Sequence, residues 1–227
     1  MPDLNELEKR IGYSFKNRAF LKLALTHSSY VNENHLGKHD HNERIEFLGD
    51  AVLELVSSEF FYRTMPDAPE GDMTQLRAAM VCEVTLASCA KSFGLGEFLM
   101  MSRGEELTGG REKDSLVSDA FESLIGAVYL DGGLEEARKL IHRFVLTDIE
   151  HKRLFYDSKS ILQVYLQEKH IENFEYVVLD ESGPAHDKSF TIAARIGDVI
   201  YGEGTGKTKK AAQQKAAYET LIKLRSE

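Results

Sequence analysis

The chain has 227 residues, enough for one large domain or two small ones with a real apolar core. It contains no run of about 18 apolar residues and its N-terminus is polar, so neither a membrane span nor a signal peptide is expected. A net charge of -9 argues against a nucleic-acid partner only as a total, and what decides is where the acids and bases fall.

Asp3 is placed to cap a first helix, with Glu6 as its capping-box partner. Phe20, Leu21, Leu23, Ala24 and Leu25 mark a second helix that ends at His27-Ser28-Ser29. Residues 31–41 read as a polar loop, whose His35, His39 and His41 lack the fixed spacing of a metal site. From Asn42 onward, Ile45, Leu48, Val52 and Leu55 recur at helical spacing and predict a helix running toward Tyr62. At about 100° per residue, Glu43, Glu46, Asp50 and Glu54 share a stripe roughly 60° wide opposite that apolar side. Taken alone, this is what any solvated helix face looks like. Phe47 lies among these acids, where contact with a partner explains an exposed aromatic better than chance does.

Met65-Pro66-Asp67-Ala68-Pro69-Glu70-Gly71-Asp72 breaks the chain. Helical periodicity returns over 73–93, and Gly94 to Gly110 is a glycine-punctuated connector. Cys82 and Cys89 show no metal spacing and read as reduced core thiols of a cytoplasmic protein. Residues 116–130 form a second informative helix, apolar around nearly its whole circumference and therefore buried. Its one polar strip holds Asp119, Glu122, Ser123 and Gly126, with no basic residue in the helix to neutralise the acids. Buried carboxylates are costly unless paired or bound to a metal, and the small neighbours let another element approach. The economical solution sets this strip against the first acidic strip across divalent cations. Glu46, Asp50, Asp119 and Glu122 are the expected ligands, and an all-oxygen set suits Mg²⁺, with Mn²⁺ as substitute, rather than zinc. No organic cofactor is expected.

Gly132-Gly133 ends this helix, and Leu134 to about Glu150 reads as another. Residues 1–150 are thus expected as one helical domain, 151–157 as a charged and aromatic linker, and 158–227 as a second domain. Ser158 to His170 is helical, Phe174–Leu179, Ser189–Ile196 and Val199–Gly204 are strands, and Lys209 to about Leu224 closes as a helix. The fold class expected is an all-α first half followed by a small α-β-β-β-α, or α+β, unit. Gly204-Thr205-Gly206-Lys207-Thr208-Lys209-Lys210 leads into the last helix, and no acid occurs from Gly204 to Tyr218. Lysines at a helix N-terminus oppose the macrodipole at about 0.3–1 kcal/mol each, which makes sense where a phosphate sits. The Gly-Lys-Thr run lacks the glycine spacing of a nucleotide loop.

The run Asn42-Glu43-Arg44-Ile45-Glu46-Phe47-Leu48-Gly49-Asp50-Ala51-Val52-Leu53 resembles the signature of bacterial ribonuclease III, with Ile at position 45. Ala24-Leu25-Thr26-His27-Ser28 and Asp119-Ala120-Phe121-Glu122 extend the likeness. The resemblance implies Mg²⁺-dependent hydrolysis of double-stranded RNA, with 5′-phosphate and 3′-hydroxyl ends and short 3′ overhangs, in processing of ribosomal and other structured RNA. It makes Asp50 and Glu122 the most critical catalytic acids and puts Glu43 and Glu70 at the periphery of the site. It also implies a homodimer in which Phe47 packs into the partner subunit.

The second half resembles a double-stranded-RNA-binding domain. That likeness assigns Gln163 and Gln167 to one minor groove and His186, in Gly183-Pro184-Ala185-His186-Asp187-Lys188-Ser189-Phe190, to the other. Lys207, Lys209 and Lys210 would bridge the phosphates between, reading shape rather than sequence. Val164 departs from the pattern, standing where many relatives carry Glu. Two rival readings are a duplex-RNA binder without chemistry and an acidic, cation-binding structural protein. The second leaves the C-terminal half unexplained.

Overall fold

The computed structural model describes residues 3–183 and 188–226, and the chain divides into two compact units, residues 1–147 and 148–227. The first unit is helical: α1 (Leu4–Ile11), α2 (Arg18–Ala24), α3 (Ser28–Glu33), α4 (Glu43–Thr64), α5 (Glu70–Val81), α6 (Glu83–Ser92), α7 (Arg103–Leu107), α8 (Asp114–Gly132) and α9 (Leu134–Phe144). Asp3 caps α1, accepting from the Asn5 and Glu6 N–H groups. Glu6 does not complete a capping box; its carboxylate is taken by Arg10 one turn on, at 3.1 Å. The segment expected as loop from residue 31 begins inside α3, because His27 and not a later residue supplies the turn that starts this helix.

α8 runs through the centre, with Val117, Ala120, Phe121, Leu124, Ile125, Ala127 and Val128 fully buried. Its C-terminal end is held by Asp131, which accepts from the Tyr13 hydroxyl at 2.7 Å and from the Lys16 and Asn17 N–H groups at 2.8 and 2.7 Å. α4 packs on α8 through Ile45 and Gly49, and buries Val52, Leu53 and Val56 further along. Leu55, expected on that buried side, is instead 56% exposed, and Leu48 is only half-buried. The helix has a second apolar side, made of Phe47, Leu48, Leu55 and Tyr62, which faces away from the core of its own chain.

The periodic run 73–93 is two helices, broken at Cys82, whose backbone is extended. The Thr85 hydroxyl donates to the Ala79 carbonyl at 2.7 Å and so replaces a helical N–H at the break. Cys89 is buried, with its thiol directed at the Phe144 carbonyl, and Cys82 is half-buried; neither is in a disulfide. The glycine-rich connector is compact because the Arg111 guanidinium gathers the carbonyls of Gly96, Glu97 and Leu99.

The second unit comprises α10 (Ile149–Tyr156), α11 (Ser158–Glu168), β1 (Phe174–Ser182), β2 (Ser189–Ile196), β3 (Val199–Gly206) and α12 (Lys209–Ser226). The three strands form an antiparallel sheet in the order β1-β2-β3. Leu162, Leu166, Ala217 and Leu221 make one buried cluster with Leu154, and Phe190, Ile192 and Ala212 make another. The segment 151–157 is not an open linker. Residues up to Tyr156 are helical, Leu154 is buried, the Phe155 ring stands edge-on to Tyr218, and the Gln214 amide donates to the Phe155 carbonyl at 2.9 Å. Phe155, which looked like linker composition, is a packing residue for α12.

Candidate metal centre and RNA-binding surface

α4 and α8 cross at two glycines. A Cβ added to Gly49 would lie 1.8 Å from the Glu122 carbonyl oxygen, and one on Gly126 would lie 2.3 Å from the Ile45 carbonyl oxygen. The two backbones therefore touch, and the acidic strips of both helices are forced onto the same side of the crossing. Ser123, fully buried, points its hydroxyl at the carbonyl of buried Asn42, the residue ahead of α4. The crossing is thereby tied at the end where the acids lie.

The result is a cluster of Glu46, Asp119 and Glu122, each offering a carboxylate oxygen, with all three oxygens within 4.8 Å of one another. Burial, with the charges of Asp119, Glu43 and Asp50, pushes the Glu46 carboxyl up to about 7. Burial, with the charges of Asp50, Glu46, Asp119 and Glu54, pushes Glu122 up to about 8. Asp119 is raised as well, mainly by burial. Asp50 is exposed and lies outside the tight triad, yet both glutamates feel its charge. Glu43 is exposed and acts on Glu46 in the same way. Like charges this close protonate, or gain a cation. Within the α4 stripe, Glu54 pairs with Arg77 at 2.9 Å and Glu43 lies 3.8 Å from the His41 imidazole. An all-oxygen, half-buried set fits a hard divalent cation such as Mg²⁺.

Glu70 stands apart from the triad. It opens α5, accepts from the Thr74 hydroxyl at 2.8 Å, and lines a cavity of about 430 Å³ with Leu55, Phe61, Tyr62, Met73 and Arg77. Phe47 is 79% exposed on the outer side of α4, the side that carries Leu55 and Tyr62.

In the second unit Gln163 and Gln167 are exposed on one face of α11 and line a second cavity with Lys159, Ser160 and Tyr176. Val164 is exposed beside them. Lys207, Lys209 and Lys210 are exposed at the start of α12, where the Thr208 hydroxyl accepts from the Ala211 N–H. Gly202 and Gly204 let β3 lie against α12: a Cβ there would come within 2.5 and 2.3 Å of the Ala216 and Ala212 carbonyl oxygens. Glu181, on β1, pairs with Lys188 and lies 3.9 Å from Lys209. His186 lies outside the described residues.

Residues 17–149 match the family model described as Ribonuclease-III-like, and residues 158–224 match the Double-stranded RNA binding motif. The chain belongs to the ribonuclease III family. It is 45% identical over 230 residues to Ribonuclease 3 of Pelotomaculum thermopropionicum, an alignment that takes in 98% of this chain and 95% of that one. It is also 45% identical over 226 residues to Ribonuclease 3 of Caldanaerobacter subterraneus subsp. tengcongensis, covering 97% and 98% of the two chains. The solved nuclease domain of ribonuclease III from Campylobacter jejuni, described for flexibility in a region involved in dimer formation, aligns with TM-score 0.59 and 43% identity. The alignment covers 63% of this chain and 96% of that one. As a ribonuclease III the chain is an endonuclease of double-stranded RNA, and its second unit is the part that binds the duplex. No helix of the described residues is long and apolar enough to cross a membrane.

Sequence reasoning set the acids on facing strips but passed over Gly49, which sets the crossing distance. It read His27 as a helix end and as part of a longer likeness, and gave it no role at the site. The signal for Gly49 was available: a glycine in the middle of a long helix costs about 1 kcal/mol relative to alanine and needs a packing reason.

Proposed function

We propose that Glu46, Asp119 and Glu122, with Asp50 adding charge from the exposed edge, hold Mg²⁺ and carry out hydrolysis of the RNA phosphodiester. The observation that carries this reading is a triad of carboxylates within 4.8 Å of one another, with raised proton affinity. When bound, the cation supplies Lewis acidity toward the phosphate and a water made nucleophilic near neutral pH. The protein's own part is to hold three oxygens in fixed register across the Gly49–Gly126 crossing, so that no ligand has to be recruited. Glu43, exposed at the head of the strip, positions RNA or water at the rim. Glu70 takes the same peripheral role only where the α5 start is brought to the site by the assembled enzyme.

The active form is a homodimer. The outer side of α4 presents Phe47 and Tyr62 at 79% and 74% exposure beside an apolar cavity large enough for an aromatic ring, so a second copy of this chain can bury one in the other. Two centres, each cutting one strand, give 5′-phosphate and 3′-hydroxyl ends with short 3′ overhangs. Phe47→Asp is expected to convert the dimer to monomer in sedimentation velocity at micromolar concentration, and a dimer that persists unchanged rules out this face.

Binding rests on Gln163, Gln167, His186, Lys207, Lys209 and Lys210, in a cytoplasmic enzyme that processes ribosomal and other structured RNA. The deciding experiment is incubation of the purified chain with a duplex RNA, with and without Mg²⁺, followed by end analysis. Cleavage only with Mg²⁺, leaving 3′ overhangs, is expected; binding without cleavage in Mg²⁺ would turn the reading toward a duplex binder lacking chemistry.

A further inference from the structure

Gln163 and Gln167 on α11 and the lysines at the start of α12 meet one duplex only if the two helices keep a fixed separation, because the RNA sets the spacing of its grooves and phosphates. Lys159 lies one turn ahead of Gln163 on the same face of α11, since Lys159, Gln163 and Gln167 follow i, i+4, i+8 spacing. Its side chain does not run out along that face. The ammonium donates to the Gln213 side-chain carbonyl of α12 at 2.7 Å and stands 5.4 Å from the centre of the Tyr176 ring on β1. Lys159 is therefore half-buried, whereas Lys207, Lys209 and Lys210 are exposed. Beside it, the buried Ser158 hydroxyl donates to the Gln214 carbonyl at 2.8 Å. Both bonds fall on one turn of α12, and Lys209 and Lys210 occupy the turn before it. The start of α11 is thus joined to α12 just beyond the phosphate-facing lysines.

We infer that Lys159 is a positioning residue for duplex binding: its ammonium, turned inward onto Gln213 and Tyr176, fixes α11 against α12 at the span that the duplex demands, and it touches no phosphate itself. The inference rests on the reading of Gln163, Gln167 and the α12 lysines as the RNA-binding surface. A hydrogen bond from an ammonium is charge-assisted and stronger than a neutral one, and the lysine stem packs its methylenes while the head keeps a polar partner. Without this bond the two helices populate other separations, and apparent affinity falls in proportion to the fraction of chains that still match the duplex.

The full chain is tested in Ca²⁺ against several unrelated duplexes, below the unfolding midpoint of every variant, with affinity measured across a range of salt. Lys159→Met keeps the stem over the Tyr176 ring and removes the donor; Gln213→Met removes the acceptor. Each is expected to weaken binding to all the duplexes alike by roughly three- to tenfold, the scale of one net hydrogen bond, with the salt slope unchanged. The double substitution is expected to bind no more weakly than either single one. Lys159→Arg, which still donates to Gln213 and stacks on Tyr176, is expected to stay within about twofold of the parent. A salt slope lowered by about 1 in Lys159→Met makes Lys159 a phosphate contact and overturns the positioning role. So does parent-like binding by Lys159→Met, or losses that add in the double variant. Parent-like binding by Lys209→Ala with Lys210→Ala overturns the reading of the surface, and this role with it.

Discussion

The acid centre between α4 and α8 and the lysine cluster ahead of α12 both depend on glycines that bring a helix into backbone contact, but the contact does different work in each. At Gly49 and Gly126 it presses three half-buried carboxylates together, leaving a repulsion that a cation relieves. At Gly202 and Gly204 it sets the position of α12, whose first lysines are exposed. A site for chemistry is preorganised at a cost to the folded chain; a site for non-specific affinity can be left in water, where phosphate contacts are exchanged for counterions. The first should therefore respond to cations and packing, the second to salt.

The sharpest way to separate the two is to remove one charge from the centre. Glu122→Gln keeps size and packing but loses a ligand, and single-turnover cleavage of a duplex should fall by at least about 10²–10³-fold, the scale of losing one preorganised electrostatic group. Binding of the same duplex in Ca²⁺ should be unchanged; if it weakens equally, the two sites are not separable. Gly49→Ala attacks the crossing instead. With a Cβ 1.8 Å from a backbone oxygen that no rotamer can relieve, a loss of roughly 3 kcal/mol is expected by denaturant unfolding. Gly71→Ala is the control, because a Cβ there meets nothing within 4 Å.

How much of this was legible follows from where each signal resides. The acid strip of α8 is legible because carboxylates on a helix apolar elsewhere demand an explanation within that helix. The α-β-β-β-α order is legible from local alternation and turns. Leu55 misleads because α4 has two apolar sides, and periodicity does not tell a core face from a face kept for another chain. The helix over Ile149–Tyr156 was read as linker because its partner, Tyr218, is over sixty residues further on. The break at Cys82 depends on a side-chain hydroxyl reaching back to Ala79, which no propensity records. Glu70 came from likeness alone, and in the single chain it faces the apolar cavity rather than the triad.

For the lysine cluster the expected effect is smaller and of another kind. Lys209→Ala with Lys210→Ala should weaken binding to unrelated duplexes alike and lower the salt slope of log K by about 1–2. Glu181→Gln sharpens this test. It removes the carboxylate that Lys209 faces at 3.9 Å, so binding should tighten slightly, and only at low salt. Loss confined to particular sequences would show base reading and contradict a surface that recognises shape.

The last effect is on the pH dependence of stability, and its sign distinguishes the two regions. Glu122 and Glu46 bind protons more tightly in the folded chain, at about 8 and about 7, than in the unfolded one. An acid raised in this way makes a contribution to stability that is complete below its unfolded pKa, where both states are protonated, and is lost as pH rises through its folded pKa. As pH climbs from the ordinary carboxylate range through 7 and 8, the folded chain must give up those protons against burial and mutual repulsion, and stability declines. In EDTA, thermal unfolding midpoints should therefore be lower at pH 8.5 than at pH 6, and Mg²⁺ should recover most of the difference at pH 8.5, since the cation takes the place of the protons. Glu122→Gln, which has no proton to lose, should flatten this pH dependence, whereas the Lys209 and Lys210 double substitution should leave it unchanged. A parent chain whose midpoint in EDTA rises between pH 6 and 8.5 would mean that the three carboxylates are not held together, and the centre would have to be rebuilt from other residues.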